Sequence, residues 1–180
     1  MVGIEPQRWH VTSSGIAYLE HAVALPSSKH FRRRALEILW AGSKSNYWEN
    51  AVKNLILGAA AFSAPSPVFF GLWTSALTDA SHGGTAGEVT GGSYDRVSKT
   101  NNTTNFATVG DNVAKVNSND IQFPAASANW GTITYTGCFD GNAKTSGDNL
   151  LLWADLTASR VVNNGDTAKF ATGDFSYTVD

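Results

Sequence analysis

The sequence predicts a mainly β protein: an antiparallel β-sandwich or jelly roll of about eight strands, one packed helix ahead of it, and an extended N-terminal arm. Two observations carry this. From Val68 to Val179 short apolar runs recur, among them Val68–Trp73, Ile133–Thr136, Leu150–Trp153 and Phe175–Val179. Between them lie polar turns rich in glycine, asparagine and aspartate, the spacing that small sandwiches and barrels require. A third observation concerns chemistry: the same stretch holds almost no group suited to catalysis.

Residues 1–45 form the arm. They show no strand alternation, and Ser13, Ser14 and Pro26-Ser27-Ser28 read as irregular chain. Behind Arg32-Arg33-Arg34, the positions Phe31, Ala35, Ile38 and Leu39 fall at helical spacing as far as Trp40. A helix that short is marginal alone and needs a surface to lie on. The domain proper, 46–180, opens with a helix expected over 47–57. Asn46 is its expected cap, with Glu49 completing a capping box, and Gly58 stands at its stop. Trp48, Ala51, Val52, Leu55 and Ile56 make one apolar stripe, expected to pack over one end of the sheet.

Ala64-Pro65-Ser66-Pro67 ends that segment, and strands are expected near 68–74, 94–100, 105–109, 112–116, 119–123, 130–139, 149–156, 167–171 and 174–179. In the clearest of them, Ile133, Tyr135 and Phe139 share one face while Thr132, Thr134 and Thr136 share the other. Phe175, Tyr177 and Val179 alternate with Ser176 and Thr178 in the same way. The segment Asp79–Gly92, with five glycines, is the longest loop, expected either to order against a partner or to stay mobile.

Charge bounds the partners. Charged residues make up 16% of the chain, against roughly 25% in an ordinary globular protein, which suits a surface held against other proteins. Residues 1–60 carry seven Lys/Arg against four Asp/Glu, and residues 61–180 carry six against eleven. Only Arg32, Arg33 and Arg34 cluster, too few to neutralise a run of phosphates, so no nucleic-acid partner is expected. Cys138 is the single cysteine, which excludes an intrachain disulfide and a thiolate metal cluster within one chain. It sits in a strand pattern and is expected to be a small buried hydrophobe. No run approaches the roughly 18–20 apolar residues of a membrane span, and the N-terminus lacks the layout of a secretory signal. Synthesis in a cytoplasm is the expectation.

Candidate chemistry is sparse. His10, His21, His30 and His82 show no paired ligand spacing, and Asp79, Glu88 and Asp95 lack the alternation of a calcium loop. No nucleophile elbow or phosphate loop occurs. The expectation is a protein without catalytic residues, metal or cofactor. Tyr94 and Tyr135 are the aromatics placed to stack on a sugar, although aromatics at strand spacing more often fill a core.

One set of motifs points to a family. Asn46–Asn50, Ala64-Pro65 and Val68–Thr74 lead into Gly87-Glu88-Val89-Thr90-Gly91-Gly92-Ser93-Tyr94-Asp95-Arg96-Val97. Then come Ile121–Ala126 with Trp130-Gly131, Leu150–Leu156, and Val162–Asp166. Over residues 46–180 the chain resembles the small β-sandwich virion proteins of tailed phages. These are often labelled tail fibre proteins and are related in architecture to capsid decoration (cement) proteins. The resemblance implies a non-enzymatic virion structural protein, made in the host cytoplasm. Its partners would be the major capsid protein or other virion proteins, and it would be a homo-oligomer, for which a trimer fits.

Capsid decoration is the first expectation, because the chain is short, lacks heptads or fibrous repeats, and carries an arm suited to lying across neighbouring subunits. The alternative is a tail fibre or tail-tip component that binds host surface carbohydrate. That reading places an exposed aromatic, Trp73 or Tyr94, in a groove beside the Asp79–Gly92 loop. The candidate interaction residues are therefore Arg32, Arg33, Arg34, Trp40, Trp73, His82, Glu88 and Tyr94.

Overall fold

The computed structural model describes residues 9–11, 17–19, 43–110 and 114–178. The chain divides into two units, 1–34 and 35–180. In the first, β1 (Trp9–Val11) and β2 (Ala17–Leu19) pair antiparallel, Trp9 opposite Leu19, so the stretch read as irregular arm contains a strand pair. The short helix expected around Phe31–Trp40 lies outside the described residues.

Among its described residues the second unit is mainly β with one helix, and its sheets are antiparallel. Strands β3 (Ser43–Lys44), β4 (Val68–Trp73), β5 (Val97–Lys99), β9 (Gly131–Phe139) and β10 (Leu150–Val162) form a sheet in the order β3-β10-β9-β4-β5. Strands β6 (Phe106–Val109), β7 (Ala114–Asn117) and β12 (Ser176–Thr178) form another in the order β12-β7-β6. A third ladder pairs β8 (Ile121–Gln122) with β11 (Lys169–Phe170). The small sheets supply Phe106, Ile121, Phe170 and Tyr177 to a core that the large sheet fills with Val68, Phe70, Leu72, Ile133, Cys138 and Leu151.

The large sheet is apolar on both faces, and this sets its architecture. Phe69, Trp73, Tyr135, Phe139, Leu150 and Trp153 make a second cluster on the opposite face. At its centre Gly71 of β4 lies opposite Gly137 of β9. A Cβ on Gly71 would come within 2.6 Å of the Trp73 ring, and one on Gly137 within 2.6 Å of the Phe139 ring. The two rings therefore fold back over bare backbone, stacked with centroids 5.1 Å apart and planes 22° apart. Strand alternation alone does not predict this layer. Ile133 packs in the first core and Tyr135 and Phe139 in the second, not all on one face as expected. The switch coincides with a register shift: Asp155 pairs Tyr135 but Arg160 pairs Ile133, so β10 bulges outward over 156–159 against a single β9 residue. A second irregularity, between Leu150 and Leu152, puts the neighbours Leu151 and Leu152 against the same core, where regular alternation would part them, while Leu150 stays with the other.

Helix α1 (Asn46–Leu57) starts one residue earlier than the spacing predicts, and Ser45 caps it in place of Asn46. The buried Ser45 hydroxyl accepts the Trp48 N–H at 3.2 Å and donates to the Leu150 carbonyl, tying the helix start to β10. Ser45→Ala removes both bonds and is expected to cost about 1–2 kcal/mol in urea unfolding. A loss below about 0.3 kcal/mol would show the cap to be dispensable. At the other end Gly58 closes the helix with a negative φ of -103°, and the left-handed residue is Ala59 at φ 54°. The expected stripe is only half used: Trp48 packs on the core, but Leu55 and Ile56 are exposed and no helix residue is fully buried.

Candidate functional site

Arg96, the residue before β5, is the centre of the most highly organised polar cluster among the described residues. Its side chain is wholly buried, which a guanidinium tolerates only when its donors are satisfied. All five N–H groups have partners. Nε donates to Glu88 Oε1 at 2.8 Å and Nη2 to Glu88 Oε2 at 2.7 Å, a bidentate pair. Nη1 donates to Asp148 Oδ2 at 2.9 Å and to the Gly141 carbonyl at 2.8 Å, and Nη2 also reaches the Gly83 carbonyl at 3.2 Å. The guanidinium lies 4.1 Å from the Phe139 ring centroid and 5.6 Å from that of Trp73, capping the aromatic layer. A Cβ on Gly83 or Gly141 would collide with Asp148, so both loops need glycine to approach this closely.

Four expected site residues converge here, in roles other than those expected. Trp73 is fully buried and donates its indole N–H to the Thr85 carbonyl at 3.3 Å. Tyr94 is buried too; its hydroxyl accepts the Leu72 N–H at 2.9 Å and donates to Glu88 Oε1 at 3.0 Å. Burial first, and Glu88 second, raise the Tyr94 phenol well above the usual tyrosine range. The expected exposed aromatic is therefore neither Trp73 nor Tyr94, because each ring is needed to seal the core beneath the loop. Glu88 is consumed by Arg96 and Tyr94, and also forms a single β-bridge with Trp73. His82 Nδ1 accepts the Gly84 N–H at 3.0 Å, and its backbone bridges Asn149, so the imidazole shapes a turn. The Asp79–Gly92 loop is thus pinned to its own body. Arg32, Arg33, Arg34 and Trp40 lie outside the described residues.

The sequence reading missed Arg96 as a centre, together with Asp148 and Gly141, which approach from the β9–β10 loop. At the rim Lys144 Nζ meets Asp95 Oδ1 at 2.9 Å, and this contact, aided by Asn142, holds the Asp95 carboxyl below its ordinary range. Both partners are substantially solvated, so the pair adds little to stability. A second buried polar centre is Asn117. Its amide donates to the Asn119 and Ala171 carbonyls and accepts from the Gly173 and Phe175 N–H groups, joining β7 to the C-terminal segment.

Between the large sheet and the β12-β7-β6 sheet opens an apolar cavity of about 320 Å³. Phe70, Cys138 and Phe175 line it, with Asn102 and Lys115 among its polar residues. Burial, then Asp140, push the Cys138 thiol up to about 12, so it stays protonated and inert at neutral pH. No group of side chains suited to holding a metal occurs among the described residues. No helix among them is long and apolar enough to cross a membrane.

Comparison with protein families matches residues 43–178 to one described as podophage GP4 fiber I protein gp80. No curated protein matches the chain. The match takes in the helix, the large sheet, the Arg96 cluster and both small sheets, and the chain belongs to this family of phage fibre proteins.

Proposed function

We propose that the chain is a non-enzymatic structural module of a phage tail fibre, in which an antiparallel sandwich holds its shape and presents surfaces to neighbouring virion proteins. The family match over residues 43–178 carries this reading. The Arg96 cluster supports it: the buried charges that in an enzyme would face a substrate are here saturated by one another and by backbone carbonyls. Capsid decoration is the second reading, favoured by the lack of any heptad or fibrous repeat in 180 residues. The test is the copy number per purified virion, by quantitative mass spectrometry against the major capsid protein. The fibre reading expects a small multiple of roughly three or six. Copies on the order of hundreds would overturn it in favour of the shell.

Within the fibre reading, a host-carbohydrate contact falls to Tyr135 and Trp153, which are half-buried with ring centroids 6.2 Å apart. Trp153→Ala is expected to abolish binding to isolated host envelope while the far-ultraviolet spectrum is unchanged. Undiminished binding by the folded variant would remove these rings from the contact.

A further inference from the structure

Helix α1 is anchored at one end only. At its start Asn46 N–H donates to the Asp79 carbonyl at 2.9 Å, and the Trp48 ring meets Phe62 edge-on at 5.0 Å. At its far end Leu55, Ile56 and Leu57 are 53%, 70% and 88% exposed. Successive helical residues point about 100° apart, so these three crown the end of the helix instead of forming a stripe along it. Side-by-side packing with another helix would cover at most two of them. Insertion end-on into a recess covers all three.

The same unit carries such a recess. The cavity of about 320 Å³ beside Phe70, Cys138 and Phe175 is about twice the roughly 150 Å³ void that holds a benzene-sized molecule. Trp48, at the anchored start of α1, lines it. A 12-residue helix is about 18 Å long. Its far end therefore lies well away from the cavity beside its own first turn, and an occupying tip must come from another molecule. Charge agrees with this pairing. The last turn of α1 has no basic residue to offset the negative end of its dipole, and the cavity carries the exposed Lys115.

We propose that the partner is a second copy of this chain: the Leu55–Leu57 tip of one copy seats in the cavity of the next, with Lys115 against the helix C-terminal carbonyls. Each copy offers one tip and one recess, so the contact is head-to-tail: copies close into a ring where the rotation between them closes and otherwise extend as a filament. It is a property of the isolated chain and does not depend on where in the virion the protein sits, so its failure leaves the family assignment and the fibre reading intact.

The test uses the full chain in sedimentation velocity over a concentration series. One variant carries Ile56→Asp with Leu57→Asp, both at solvent-exposed positions. The other carries Ala64→Trp, at an exposed position lining the cavity. Wild type is expected to assemble, and each variant is expected to stay folded by circular dichroism with its assembly midpoint raised by roughly tenfold or more. Mixed at equal amounts, the two variants retain one good tip and one good recess between them, and are expected to form a dimer and nothing larger. A monomeric wild type overturns the proposal, as does an Ala64→Trp chain that assembles like wild type, which points to helix-on-helix packing. A mixture that gives no dimer overturns it as well. Lys115→Glu gives an independent readout: it is expected to weaken assembly while Lys115→Arg preserves it, and equal behaviour of the two removes the charge contact.

Discussion

Replacing Arg96 with methionine is expected to destabilise the domain by about 3–5 kcal/mol, the cost of removing one partner from a buried ionic cluster. Methionine has similar length and fills most of the space, so the loss is mainly electrostatic. Glu88 and Asp148 would remain with side chains only 7% and 8% exposed and no cation between them. The Gly83 and Gly141 carbonyls would each lose a donor. Arg96→Lys is expected to recover little, because an ammonium offers three donors where the site uses five, and it cannot span Glu88 bidentately. Urea unfolding followed by tryptophan fluorescence measures the change. Adding Glu88→Gln and Asp148→Asn to Arg96→Met is expected to restore part of the loss, since neutral amides no longer need the cation. A single-variant loss under about 1 kcal/mol would mean that water reaches the cluster and that it does not hold the loops.

The elements of the second unit were largely legible before the structure. The run read as 130–139 is β9 at Gly131–Phe139, the run at 68–74 is β4 at Val68–Trp73, and the helix expected over 47–57 spans Asn46–Leu57. These rest on local periodicity, which a single sequence displays. Facing was harder to read. Residues 133, 135 and 139 should share a side of a regular strand, but the register shift opposite 156–159 sends Ile133 to one core and Phe139 to the other. A bulge on a partner strand leaves no mark on the strand it distorts.

The site was legible as a place and not as a role. Glu88, Tyr94 and Arg96 lie within the short run that carried the family resemblance, and the structure shows what joins them: one carboxylate receiving a phenol and a guanidinium. Arg96 was passed over because an isolated arginine ordinarily reads as solvated. Its burial depends on Gly83, Gly141 and Asp148, which are 13, 45 and 52 residues away. An exposed Trp73 or Tyr94 was expected only from the carbohydrate-binding alternative, which set one of them in a groove beside the Asp79–Gly92 loop. In the fold, Gly71 and Gly137 let the rings of Trp73 and Phe139 settle onto the backbone and be covered.

Phe139→Ala is the second large effect, expected at about 3–5 kcal/mol by the usual cost of truncating a buried aromatic. The ring is fully buried, stacked on Trp73 from one side and covered by the Arg96 guanidinium from another. With Gly137 beneath it no neighbouring Cβ can relax into the void, so the cavity should persist. Phe139→Leu separates volume from ring chemistry. It keeps most of the packing but removes the π face under the cation, and is expected to cost about 1–2 kcal/mol. Because ring and guanidinium are in contact, the losses from Phe139→Ala and Arg96→Met should not add. A double-mutant cycle is expected to give a coupling of about 1–2 kcal/mol. Additive losses, or a Phe139→Ala cost below about 1 kcal/mol, would mean that the aromatic layer and the ionic cluster are separate stabilising features. Coupling of the expected size would make them one unit: the glycine-bedded rings hold the guanidinium, and the guanidinium holds the loops.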